Sequence, residues 1–187
     1  MRNFFKNRLG PISSCRVFSL LELLVVVLII GVLTAVALPQ YTKAVEKTRI
    51  MSGFPAGQAI VQAMDEYYLA NGKFSGNWAA MVIQLPAGAT DENGQALTSL
   101  PTGMNKLLYY GVGTAAKRSY RLQSNGRLQY KYYANPDANI YFYSNYATGD
   151  SYKPLRGKIT CTYGNKQEEQ QCRRLGAVKL KQGTYVF

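Results

Sequence analysis

The 187-residue chain contains no histidine. That absence removes the commonest general base, the usual base of a nucleophile pair and the commonest metal ligand. No nucleophile motif and no Gly-Lys-Ser/Thr phosphate loop takes its place. The sequence therefore argues against an enzyme and calls for no cofactor and no metal. Acids are also scarce, 10 against 22 Lys and Arg. Residues 1–17 hold no acid, yet they carry Arg2, Lys6, Arg8 and Arg16. The basic bias of the remaining chain is compatible with acidic partners without singling out nucleic acid.

What is present is a long apolar run. From Leu23 to Leu38 no charge interrupts it. With Phe18–Glu22 added, a helix at ~1.5 Å per residue covers ~31 Å, about one bilayer core. A cleaved secretory signal has a shorter apolar core followed by a small-residue cleavage site. Here Pro39 is followed by polar helical sequence, so the segment reads as a retained membrane helix. The basic residues before it predict a cytoplasmic N-terminus, a signal weakened but not reversed by Lys43, Lys47 and Arg49. Glu22 stands out, because a carboxylate at mid-bilayer costs roughly 2.5–3.5 kcal/mol on insertion scales.

Five segments follow from composition. Residues 1–17 form a basic leader, 18–39 a membrane helix and 40–71 its polar continuation. Residues 72–116 make an irregular connection and 117–187 an antiparallel sheet. Within the continuation, Pro55 and Gly53 predict a kink or short break. Ala56, Ile60, Ala63, Met64 and Tyr67 then form an apolar stripe at helical spacing, ended by Asn71-Gly72. In the connection, a short strand or helix is expected near Trp78–Leu85, and Asp91–Gly94 reads as an isolated acidic turn rather than a cation loop. Further on, alternation around Asn125-Gly126 signals a hairpin, with a second turn at Asn135–Asp137 and another strand at the C-terminus. Four strands are expected.

The three cysteines divide by compartment. Cys15 lies in the leader, on the reducing side of the membrane. Cys161 and Cys172 lie beyond it, where thiols oxidise. They are expected to form a disulfide that holds the C-terminal loop to the sheet edge, worth roughly 2–3 kcal/mol by loop entropy.

The stretch FSLLELLVVVLIIGVLTAVALPQYTKAVEKTR, Phe18–Arg49, resembles the N-terminus of type IV pilins and of the related pseudopilins of type II secretion. The resemblance implies an α+β fold, a long kinked N-terminal helix packed on a small antiparallel sheet. It implies cleavage by a prepilin peptidase between Val17 and Phe18, methylation of the new Phe18 amine, a helix kink at Pro39, and an assembly role for Glu22. In that family the glutamate is thought to neutralise the N-terminal amine of a neighbouring subunit. Val17 departs from the pattern, which has Gly before the cut. The resemblance further implies a homo-oligomeric filament, a single-pass inner-membrane form before assembly, and a periplasmic or extracellular filament after it. The implied partners are the peptidase and a pilus or secretion assembly machine. A type II secretion pseudopilin and a DNA-uptake or adhesion minor pilin are the alternatives. For the last, strands alternating Tyr with Lys or Arg would meet the nucleic acid.

Overall fold

A computed structural model of the chain describes residues 19–85, 88–91, 93–104, 106–110, 118–132, 138–181 and 183–187. Val17 and Phe18, Cys15 and the turn at Asn135–Asp137 lie outside these residues. The chain divides into two compact units, Met1–Lys43 and Ala44–Phe187. Helix α1 (Leu20–Met51) begins in the first and ends in the second.

The described part of the first unit is helix. Its leucines and alanines lose little rotamer freedom in that conformation, its valines and isoleucines give up some χ1 freedom, and no Gly-Pro pair interrupts them. Pro39 sits inside α1, and the helix runs through it. The observed break lies at Ser52-Gly53. A second helix, α2 (Phe54–Asn71), starts there with Pro55 in its first turn, where a missing N–H costs nothing. It ends at Gly72, whose φ of 68° is the left-handed cap that Asn71-Gly72 leads one to expect. The anticipated stripe is its buried face: Ile60, Ala63 and Met64 are buried, and Ala56 and Tyr67 pack against the core.

The second unit is built on one antiparallel sheet of eight strands. These are β1 (Ala89–Thr90), β2 (Leu107–Tyr110), β3 (Arg118–Gln123), β4 (Arg127–Tyr132), β5 (Asn139–Tyr143), β6 (Ile159–Thr162), β7 (Val178–Lys181) and β8 (Thr184–Val186). Their order across the sheet is β1-β2-β3-β4-β5-β6-β8-β7. The four strands expected from sequence correspond to β3, β4, β5 and β8. The other four are two to four residues long, too short for alternation to show, and β7 is exposed throughout. The Asn125-Gly126 hairpin joins β3 to β4 in full register. Between β1 and the end of α2, Trp78 opens a single 3₁₀ turn and is fully buried, its indole N–H donating to the Lys106 carbonyl at 2.8 Å.

One face of the sheet meets α2. Leu108, Tyr120, Leu122, Leu128, Tyr130, Ile140 and Phe142 line it and are buried. Two glycines let the helix approach. A Cβ on Gly53 would lie 2.5 Å from the Tyr130 hydroxyl, and one on Gly57 would lie 2.6 Å from the Phe142 ring. Phe54, between them, packs edge-on against Tyr130 and Phe142.

At the break the sheet adds second hydrogen bonds to carbonyls that already accept locally, Ile50 from the Gly53 N–H and Gly53 from the Gly57 N–H, each at 3.1 Å. The Tyr130 hydroxyl donates to the Ile50 carbonyl at 2.9 Å and the Tyr120 hydroxyl to the Gly53 carbonyl at 2.8 Å. Arg118 donates to the Arg49 carbonyl at 3.3 Å and to Ser52 Oγ at 2.7 Å. Burial pushes the Tyr130 phenol well above its ordinary pKa, so it stays a donor. Gly57→Ala is expected to destabilise the folded chain by about 1–3 kcal/mol through overpacking against Phe142. Gly164→Ala, where a Cβ makes only ordinary contact at 3.6 Å with Glu168, should leave stability close to wild type. Urea unfolding of both variants in detergent, followed by tyrosine fluorescence, checks this; equal midpoints would refute it.

Candidate assembly interface

The first unit presents its apolar residues to the outside. From Leu20 to Leu38 the large aliphatic side chains are exposed by 43–82 %. Nothing lies within 4 Å of where a Cβ on Gly31 would stand. The helix is long and apolar enough to cross a membrane. Its polar backbone is satisfied internally, as a lipid setting requires. The unit's two threonine hydroxyls follow the same rule: Thr34 Oγ1 donates to the Ile30 carbonyl at 2.7 Å, and Thr42 Oγ1 to the Pro39 carbonyl at 3.1 Å. A helix apolar on all sides needs lipid or other helices around it.

Glu22 lies in the first turn of α1, exposed. Its backbone N–H donates to Ser19 Oγ at 3.2 Å. Ser19-Leu20-Leu21-Glu22 thus has the spacing of a capping box, with a serine ahead of the helix and an acid three residues on. An acid here also faces the positive end of the helix dipole, worth about 0.3–1 kcal/mol on an exposed helix. That local role was readable from the S-x-x-E spacing and supplements the assembly role that the resemblance implies. Glu22 and Pro39 share α1; Val17 and Phe18 lie beyond the described residues.

Cys161 and Cys172 form a disulfide, with Cα atoms 5.7 Å apart and both residues fully buried. Its setting differs from the expected loop at a sheet edge. Cys161 is on β6, flanked by β5 and β8 inside the sheet. Cys172 is on a helix, α3 (Lys166–Leu175). The reason is local: Asn165 caps α3 by accepting from the Glu168 N–H at 2.9 Å, and Gly176 closes it with φ of 99°. The N-x-x-E spacing and the following glycine were the signals for this helix.

The exposed side of α3 ties to β8. Glu169 Oε1 accepts from Arg173 at 2.9 Å and from the Tyr185 hydroxyl at 2.8 Å. These hydrogen bonds, from Arg173 first, hold the Glu169 carboxyl below the usual range. A depressed folded pKa means this tie contributes above the ordinary carboxylate pKa and is lost as pH falls through the folded value.

Elsewhere, Asp91 Oδ1 accepts from the backbone of Asn93 at 2.9 Å and Gln95 at 2.8 Å, so its carboxylate closes its own turn. Among the described residues no group of three or more His, Cys, Asp or Glu side chains is placed to hold a metal.

Comparison with curated proteins gives partial matches. The chain is 37% identical over 60 residues to a fimbrial protein of Neisseria meningitidis serogroup B, covering 32% of this chain and 35% of that protein. It is 37% identical over 69 residues to the type IV major pilin protein PilE1 of Neisseria gonorrhoeae, 37% of this chain and 42% of the relative. It is 34% identical over 105 residues to the fimbrial protein EcpC of Eikenella corrodens, 54% of this chain and 62% of the relative. The matched stretches thus span roughly a third to three fifths of the relatives' lengths. No family model and no solved structure matches.

Proposed function

From relatives that are fimbrial proteins and type IV major pilins, which support a type IV pilin assignment, we propose that this chain is a structural filament subunit. It polymerises through the apolar part of α1, into a filament of the cell envelope. The observation that carries the reading is the surface of α1 from Leu20 to Leu38: apolar on every side, exposed, and broken near its start by one acid. Before assembly lipid covers that surface, with the basic leader on the cytoplasmic side. In the filament, helices of other copies cover it.

Processing comes first in this scheme. Cleavage between Val17 and Phe18 removes the leader, whose cations would otherwise enter an apolar bundle at high cost. The new amine then adds positive charge to the positive end of the helix. Glu22 of a neighbouring copy offsets it, which selects one axial register over others. Partners are copies of the same chain, the inner membrane, a prepilin peptidase and a pilus assembly machine.

The test is direct. Filaments sheared from the producing cells should contain this chain, with Phe18 as N-terminus by sequencing. Its absence from the sheared fraction, with the protein present in the membrane, would overturn the reading. Val17 adds a kinetic expectation. A β-branched residue before the cut is stiff and obstructs close backbone approach, whereas Gly does not. Val17→Gly should therefore speed conversion several-fold in a pulse-chase experiment. Equal rates would mean that the peptidase is indifferent to this side chain.

A further inference from the structure

The sheet face opposite α2 is cationic. On β3 and β4 it carries Ser119, Arg121 and Gln123 beside Lys131, Gln129 and Arg127, each pair directly opposite in register. Every one of these side chains can donate a hydrogen bond, and none is an acid. Opposed positions stand about 5 Å apart at Cβ, and successive ones on a strand about 6.8 Å.

Four of them enclose a space. Ser119, Arg121, Gln129 and Lys131, with Leu107, line a cavity of about 80 Å³. Arg121 Nε is buried there without a hydrogen-bond partner. The ion pairs among the described residues are Lys153–Asp150 and Arg173–Glu169, so among those residues neither Arg121 nor Lys131 has a carboxylate partner. Two cations facing one small cavity repel each other, and an unpaired buried donor costs about 1–3 kcal/mol. Both penalties vanish when an anion enters. The neighbouring cation does not supply relief: the Arg127 guanidinium is held 5.1 Å from the Tyr141 ring centre and 4.4 Å from that of Tyr152. Gln129 lines the wall without donating into it, its amide N–H groups being given to Asn139 Oδ1 at 2.9 Å and to the Tyr141 hydroxyl at 3.4 Å, so the cavity's cationic donors are Arg121 and Lys131.

We propose that the cavity between Ser119, Arg121, Gln129 and Lys131 binds a tetrahedral oxyanion of the phosphate class, free or carried on a polymer. Arg121 from β3 and Lys131 from β4 bring two separate cations to it. That suits four oxygens around phosphorus better than a planar carboxylate, which a single guanidinium satisfies. The inference stands apart from the filament reading, because it uses only the second unit.

The experiment uses the full chain in a neutral detergent. Inorganic phosphate and a labelled oligothymidylate of about 16 nucleotides are titrated against wild type, Arg121→Gln/Lys131→Gln, and Lys179→Gln/Lys181→Gln as a charge-matched control on β7. Wild type and the control should bind phosphate, and the cavity variant should lose at least tenfold. Lys131→Gln against Lys131→Arg gives the same comparison should the double variant unfold. Oligothymidylate binding about tenfold tighter than phosphate assigns a polymer as the source. Equal affinities assign a free phosphate or monoester. For the polymer, loss of two phosphate contacts should flatten the slope of log K against log salt by roughly 1.4. The proposal is overturned if wild type binds no phosphate, if the cavity variant binds as well as the control, or if polyglutamate competes as well as oligothymidylate.

Discussion

Glu22→Ala should reach the membrane at the wild-type level and yield at least tenfold fewer sheared filaments. The size of that expected effect separates two roles of one carboxylate. As the acid of a capping box at the start of α1, Glu22 contributes at most about 1 kcal/mol to its own helix. Losing that frays a turn and leaves a helix of 32 residues otherwise intact. As the counter-charge to a neighbour's amine in an apolar bundle, it does much more. Removing one partner of a buried pair costs about 3–5 kcal/mol, because the other charge is left stranded. Ser19→Ala distinguishes the two. It removes the hydroxyl that accepts from the Glu22 N–H and keeps the carboxylate, so filament yield should stay near wild type. Equal loss in both variants would make capping the whole of Glu22's role. Normal yield in Glu22→Ala would remove the carboxylate from assembly altogether.

The second large effect concerns the disulfide. Cys161→Ala/Cys172→Ala should lower stability by about 2–5 kcal/mol, roughly 5–15 °C in Tm for a chain of this size. Isolated helices shorter than about 12–15 residues are marginal in water, and α3 has 10. What remains to hold it is modest: Leu175 in the core, Gln171 accepting from the Ala138 N–H at 3.2 Å, and the Glu169–Arg173–Tyr185 tie. Reduced wild type should melt with the double variant. A Tm within about 2 °C of the oxidised protein would show that packing alone secures α3.

These two sites were legible to different degrees. Glu22 was conspicuous because a lone acid in an apolar run breaks a pattern that extends over many residues. The cysteine pair was legible from compartment, but its geometry was not. Asn165, Glu168 and Gly176 encode α3, yet KQEEQQCRRL has too few apolar residues for periodicity to reveal a helix. The hairpin at Asn125-Gly126 and the cap at Gly72 were clear because a turn depends on neighbouring residues only. The short strands β1 and β6 exist through pairing with partners well removed in sequence, and a window of sequence carries no record of that; β7 pairs with the neighbouring β8, but it is exposed throughout and shows no alternation. The roles of Gly53 and Gly57 were hidden for the same reason. What makes them necessary is Tyr130 and Phe142, far along the chain.

That last relation has a consequence for the order of folding. The hydroxyls that add a second bond to the carbonyls of Ile50 and Gly53 come from residues 80 and 67 positions later in the chain. Closing loops of that length is slow compared with forming a hairpin or a helix. The hairpin of β3 and β4 brings Tyr120 and Tyr130 side by side through local contacts, their rings 5.1 Å apart. It can therefore form as a finished template before the helices arrive. The joint between α1 and α2 keeps its local backbone bonds and gains the two phenol bonds only once both rings are in place. Docking is then a late, concerted event. Substitutions at Gly53 or Gly57 should accelerate unfolding more than they slow folding, since their contacts form only after the rate-limiting step.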